Sequence, residues 1–148
     1  MEDVYDKETT YELRKNIVIT ILKTLENIKS NWFDVPEGQM YIRSTKRMDL
    51  FGKSNNKTLE ISNISFYEHA RGKGSFRHYL YLFEQESPQF NYNVILVEQI
   101  INERLYQFLK RNNYRDIYEL TLLKYPEIMQ VQMLEVFQNN TPNVYKFI

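Results

Sequence analysis

Apolar side chains recur along the first part of the chain at Leu13, Ile17, Ile21, Leu25 and Ile28, a spacing of three to four residues that predicts an amphipathic helix through about residue 29. Thr9 and Glu12 stand where a capping box would start it. After Trp32 and the turn "PEG", the pattern changes period. "QMYIRS" and "RMDLF" alternate apolar and polar positions, which predicts two antiparallel strands. "GKSNNK" then turns the chain into "TLEISNISF". In that run Leu59 and Ile61 put the apolar face on odd positions, whereas Ile64 and Phe66 put it on even ones. One extra residue near Ser62 and Asn63 produces such a slip, so a β-bulge is expected; the alternative is a strand that ends at Asn63. Phe76, Tyr79, Leu80 and Phe83 return to helical spacing until Pro88 stops them. "VILV", residues 94–97, is continuously apolar, as a parallel strand covered on both faces would be. Strand, loop, helix and strand make a βαβ crossover, in which ligands bind beyond the carboxyl end of the first strand, against the helix N-terminus.

That position holds "RGKG". The chain has only 4 glycines, and Gly72 and Gly74 alternate there with Arg71, Lys73 and Ser75. Glycine lets successive backbone N–H groups converge on an oxyanion, and a diphosphate suits such a nest, with Arg71, Lys73 and Arg77 able to add charge-assisted contacts. A solvated basic turn is the alternative. The spacing is neither a Walker A loop nor a G-x-G-x-x-G fingerprint.

Composition narrows the classes. At 148 residues, 43% hydrophobic and 15% aromatic, with no linker or repeat, residues 1–148 read as a single globular domain. Nineteen basic and nineteen acidic residues cancel, so no global field favours nucleic acid or a membrane surface, and neither is expected as a partner. The absence of cysteine excludes disulfide scaffolds, thiolate metal sites and cysteine nucleophiles. His69 and His78 are too few and too oddly spaced for a metal site, and none is expected. The acidic start "MEDVYDKETTYEL" has no signal-peptide pattern, and no apolar window reaches the roughly 18 residues of a membrane span, so an intracellular, cytoplasmic protein is expected. The 14 Asn beside 12 Tyr are a bias that AT-rich genomes produce, many of them viral or bacteriophage.

Together "ISFYEHARGKGSF", the following helix, "NVILVEQIIN" and "NERLYQFLKRNNY" resemble the acetyl-CoA-binding core of the GNAT N-acetyltransferase superfamily over about residues 58–114. The resemblance implies an α/β fold with a mixed, twisted sheet whose central strand is bulged and splayed, flanked by helices. It implies that the backbone of Ile64, Ser65 and Phe66 meets pantetheine, and that Arg71, Gly72, Lys73, Gly74, Ser75, Phe76 and Arg77 meet the diphosphate of acetyl-CoA as co-substrate, with Asn102 in the family's Asn position. An unidentified primary amine, on a small molecule or a protein, would attack the thioester directly. Glu98, which ends an apolar run, is the best proton acceptor beside Glu60 and Glu68. Three positions depart from the pattern. Phe76 stands where Gly or Ala is usual, Asn113 replaces the Gly before the closing aromatic Tyr114, and Leu109 replaces the tyrosine that protonates coenzyme A in many members. Tyr106, one turn earlier, is the substitute acid, or a plain core tyrosine; Asn102 reads equally as a helix N-cap. A GNAT-like fold kept as a partner-binding module is the alternative function, and a homodimer is compatible with the sequence.

Overall fold

The computed structural model describes residues 2–47, 56–100, 102–117 and 143–148, with the side chains of 2–8 and 47 not described. The first helix, α1, runs Glu2–Leu25. It therefore begins before Thr9, which lies inside it and caps nothing, and it stops one turn earlier than expected. Val18, Ile21, Leu22 and Leu25 form its buried face, while Ile28, beyond its end, is exposed.

Strand β1, Ser30–Val35, is an addition to the expected elements. Trp32 and Phe33 are adjacent apolar residues that obscure its alternation. A tight turn at Pro36 and Glu37 leads into β2, Gly38–Arg47, which fuses "QMYIRS" with the start of "RMDLF"; residues 48–55 lie outside the described residues. Gly38 is required. Its φ is 148°, and a Cβ there would sit 2.2 Å from the Ser65 carbonyl oxygen and 2.7 Å from Phe66 Cα.

Strand β3, Asn56–Phe66, carries the expected bulge. Its antiparallel register with β2 runs Ile42↔Ile61 and then Tyr41↔Asn63, so Ser62 is the extra residue. Helix α2, Ser75–Glu86, follows the basic loop, and Pro88 then sits in a short 3-10 turn, Ser87–Phe90. Strand β4, Val94–Val97, is buried throughout and pairs parallel with β3 at Thr58↔Val94 through Ile61↔Val97. Helix α3 is Glu103–Arg111, β5 is Arg115–Asp116 and β6 is Val144–Phe147. The described strands form one mixed sheet in the order β1-β2-β3-β4-β6-β5. The expected strand "YELTLLKY" and the helix after Pro126 lie outside the described residues.

Sheet alternation sorts the core. Leu59, Ile61, Ile95 and Val97 join the main cluster with Val18, Leu22, Tyr79, Phe83, Leu109 and Tyr114, so all three helices pack on one face. Val94, Leu96 and Tyr145 form a second cluster on the other. Glu60 lies on that second face and is only 1% exposed. No helix among the described residues is long and apolar enough to cross a membrane.

Candidate active site

Two strands that run parallel and then part leave a wedge between them, and in this chain the wedge has a defined apex. Ile61↔Val97 is the last β3–β4 pair, and Glu98 N–H donates to the Ile61 carbonyl at 3.0 Å as the last rung. Gln99 then takes a left-handed φ of 55°, its N–H bound to Asn143 Oδ1 at 2.8 Å, which ends β4. β3 continues for five more residues, paired only to β2. On their other side Ile64, Ser65 and Phe66 have no strand partner among the described residues, so this stretch can offer backbone donors and acceptors to an extended ligand. From Ser62 to Phe66 it covers about 13 Å at the usual strand rise.

At the outer end of the wedge lies the basic loop. Gly72 and Gly74 have φ of 74° and 75°, and a Cβ at either would meet nothing within 4 Å, so the glycines serve backbone conformation and leave open space. Gly74 caps α2 without a side-chain bond, and its carbonyl accepts from His78 N–H at 3.1 Å. The first-turn N–H groups at Ser75, Phe76 and Arg77 precede any intrahelical partner, the arrangement in which a helix start can receive an anion. Phe76, at the position where Gly or Ala is usual, is half-buried against the main core. Arg71 Nε donates to the Phe66 carbonyl at 3.0 Å, tying the loop to the strand end, and Lys73 is exposed. Arg77 turns away along α2: its guanidinium lies 4.4 Å from the Phe108 ring centroid and lines a groove of about 330 Å³ with Glu103, Arg104, Gln107 and Arg111.

The first turn of α2 is held by a cluster that pattern reading did not predict. Arg14 on α1 donates to Glu37 Oε2 at 2.7 Å, to Ser75 Oγ at 3.1 Å and to His78 Nδ1 at 2.8 Å. Tyr79 O–H donates to the other Glu37 oxygen at 2.6 Å. Burial works against the Glu37 charge, yet the donors Tyr79 and Arg14 hold its carboxyl below the usual range. Burial, and then Arg14, push the His78 ring down, so it stays neutral and accepts through Nδ1.

At the apex a second cluster crosses three strands. One Arg43 amino nitrogen donates to Glu60 Oε1 at 2.8 Å and to Glu98 Oε1 at 2.7 Å. Thr45 O–H donates to the other Glu60 oxygen, and Ser62 O–H to Glu98 Oε1 at 2.7 Å. Burial alone would depress the Arg43 guanidinium; the two carboxylates outweigh it and raise it. Arg43 faces Glu60 across the β2–β3 register.

The remaining expected residues lie on α3. Asn102 Oδ1 accepts from Leu105 N–H at 3.0 Å, an N-cap. Tyr106 O–H donates to both Asp116 oxygens at 2.7 and 2.9 Å, which commits its proton to the contact between α3 and β5. Leu109, in the position of the family's acid, is wholly buried in the core. Asn113 has φ 69°, the left-handed conformation for which Gly is usual and Asn tolerated.

No family model and no curated protein sequence matches the chain. Among solved structures it is similar to AtaT complexed with acetyl-methionyl-tRNAfMet, at 10% identity over 84% of this chain and 75% of that one, with a TM-score of 0.47. It is also similar to an acetyltransferase of the GNAT family from Listeria monocytogenes 4b F2365, at 14% identity over 97% and 90% of the two chains, with a TM-score of 0.49. The element order, the parallel β3–β4 pair joined through α2, the bulge at Ser62 and the parting of the strands after Ile61 are those the sequence resemblance implies, and on them the chain has a divergent GNAT-like fold.

Proposed function

We propose that the protein is an N-acyltransferase that moves an acetyl group from acetyl-CoA to a primary amine by direct attack. The observation that carries this reading is the continuity of the wedge: bulge and apex at Ser62, a strand edge at residues 64–66 with no strand partner among the described residues, left-handed glycines at 72 and 74, and the start of α2 at 75–77. An acyl thioester supplies the activated carbonyl. The chain's part is to hold the diphosphate on the amides of α2, to align the arm along β3, and to bring the carbonyl to the apex, where a backbone N–H of the bulged strand polarises it. Glu98 stands there to receive the amine proton. Holding the two reactants in line supplies about 7 to 11 kcal/mol of the barrier. Arg14, through Ser75 and Glu37, keeps the first turn of α2 in place.

A second reading, a GNAT-like fold serving as a partner-binding module, is favoured by one pair of observations: Leu109 is in the core, and Tyr106 is engaged by Asp116. The two readings separate on release of free coenzyme A from acetyl-CoA in the presence of spermidine, a lysine-containing peptide and kanamycin. Thiol release supports the enzyme. Binding of acetyl-CoA with no release from any of the three supports the module.

A further inference from the structure

Resting on the acyltransferase reading, we propose that Ser62 is the acid that protonates the departing thiolate, and that Ser62 and Glu98 work as one proton relay. The leaving group needs a donor at the apex, and among the described residues Ser62 is the hydroxyl bonded to Glu98. Tyr106, Tyr114 and Tyr79, bonded to Asp116, Glu84 and Glu37, lie on α3, just before β5 and on α2, outside the β3–β4 parting point. Thr45 serves Glu60 and pairs in register with Thr58, further from the parting point. Ser62 is the first β3 residue beyond the last β3–β4 pair, and as the bulge residue it is skipped by the β2 register.

The chemistry of its partner completes the case. Ser62 O–H and the Arg43 amino group both donate to the same Glu98 oxygen, Oε1, at 2.7 Å each. Both contacts converge on one carboxylate oxygen, which ties the Ser62 hydroxyl directly to the proton acceptor. Arg43 is itself braced by Glu60, so Glu98 is held in orientation from the β2 side. In the step, the amine nitrogen forms the C–N bond and gives a proton to Glu98. The C–S bond breaks, the Ser62 proton passes to sulfur, and Glu98 returns its proton to the Ser62 oxygen. The N–H proton has in effect moved to the thiol, and Ser62 and Glu98 end as they began. Ser62 is only 8% exposed, so bulk water competes poorly for that position.

The test compares Ser62→Ala and Ser62→Thr with the parent protein, using acetyl-CoA and the same three amines, after thermal melts establish that each is folded. Ser62→Ala is expected to lower kcat by about a hundredfold, in the range of a lost general acid, with acetyl-CoA affinity by calorimetry unchanged. Ser62→Thr, which keeps the hydroxyl, is expected to retain most of the activity. In mixed light and heavy water the parent's proton inventory is expected to be bowed, and that of Ser62→Ala straight. Parent-like turnover in Ser62→Ala with the cofactor bound, or equal losses in Ala and Thr, would overturn the relay and leave the acyltransferase reading standing. A parent protein that does not bind acetyl-CoA overturns both. If Ser62→Ala does not fold, the parent's inventory decides alone: bowed supports the relay, straight overturns it.

Discussion

Replacing Arg43 by Met should destabilise the protein strongly at neutral pH and less on acidification. Arg43 bridges Glu60, whose side chain is 1% exposed, and Glu98, at 16%. Removing one partner of a buried ion pair costs about 3 to 5 kcal/mol, because the remaining buried charge keeps its desolvation and loses that contact. The Arg43 side chain is itself 37% exposed, so water entering from its side recovers part of that, and about 2 to 3 kcal/mol is the expected loss. Losing the Arg43 contact shifts Glu60 toward its protonated form in the folded state and leaves the unfolded chain unchanged. The variant's folded state then binds more protons than the parent's, so the loss relative to the parent is largest at high pH and shrinks as pH drops. Urea denaturation at pH 7.5 and pH 5.5 measures both effects. Adding Glu60→Leu to Arg43→Met should restore at least half of the loss, since an apolar replacement of a buried pair is close to neutral. A loss under about 1 kcal/mol at pH 7.5, or one that stays constant or grows on acidification, would refute the reasoning.

Gly38→Ala should cost more than about 2 kcal/mol, since its Cβ would overlap the β3 backbone at residues 65 and 66, whereas Gly72→Ala, with open space around it, should cost about 1 kcal/mol of backbone strain; thermal melts separate the two. The His78 ring titrates below its ordinary value in the folded state, so its contribution is complete above about pH 6.5 and is lost as pH falls; His78→Gln should flatten the decline in stability between pH 6.5 and 5. Gly74→Asp should abolish acetyl-CoA binding in calorimetry, by side-chain bulk and by negative charge beside the diphosphate, and unchanged affinity would place the cofactor elsewhere.

The bulge was legible because a period of two allows no extra residue without a change of face: Leu59 and Ile61 against Ile64 and Phe66 put the slip near Ser62 and Asn63, and the register makes Ser62 the extra residue. The parallel strand at 94–97 and the α2 face were legible for the same reason, in that burial on one or both faces writes itself into the pattern. β1 was not, because it is an edge strand with Trp32 and Phe33 side by side. The start of α1 was also misplaced, since Thr9 is as much a capping residue by type as it is an ordinary helical one by position. In the strand and loop, the phase change and the left-handed glycines at 72 and 74 were legible because backbone conformation selects them. The Arg43–Glu60–Glu98–Ser62 cluster and the Arg14–Glu37–His78 cluster depend on long-range register between residues 17 to 64 positions apart, which no local pattern carries.

Backbone amide chemical shifts followed during titration with acetyl-CoA test the central claim most directly, namely that the wedge between β3 and β4 holds an acyl-CoA. The predicted result is a saturable shift of the amides of Ile64, Ser65 and Phe66 together with those of Ser75, Phe76 and Arg77. No shift in either group at millimolar acetyl-CoA, or shifts confined to the groove of Arg77, Arg104 and Arg111, would contradict it.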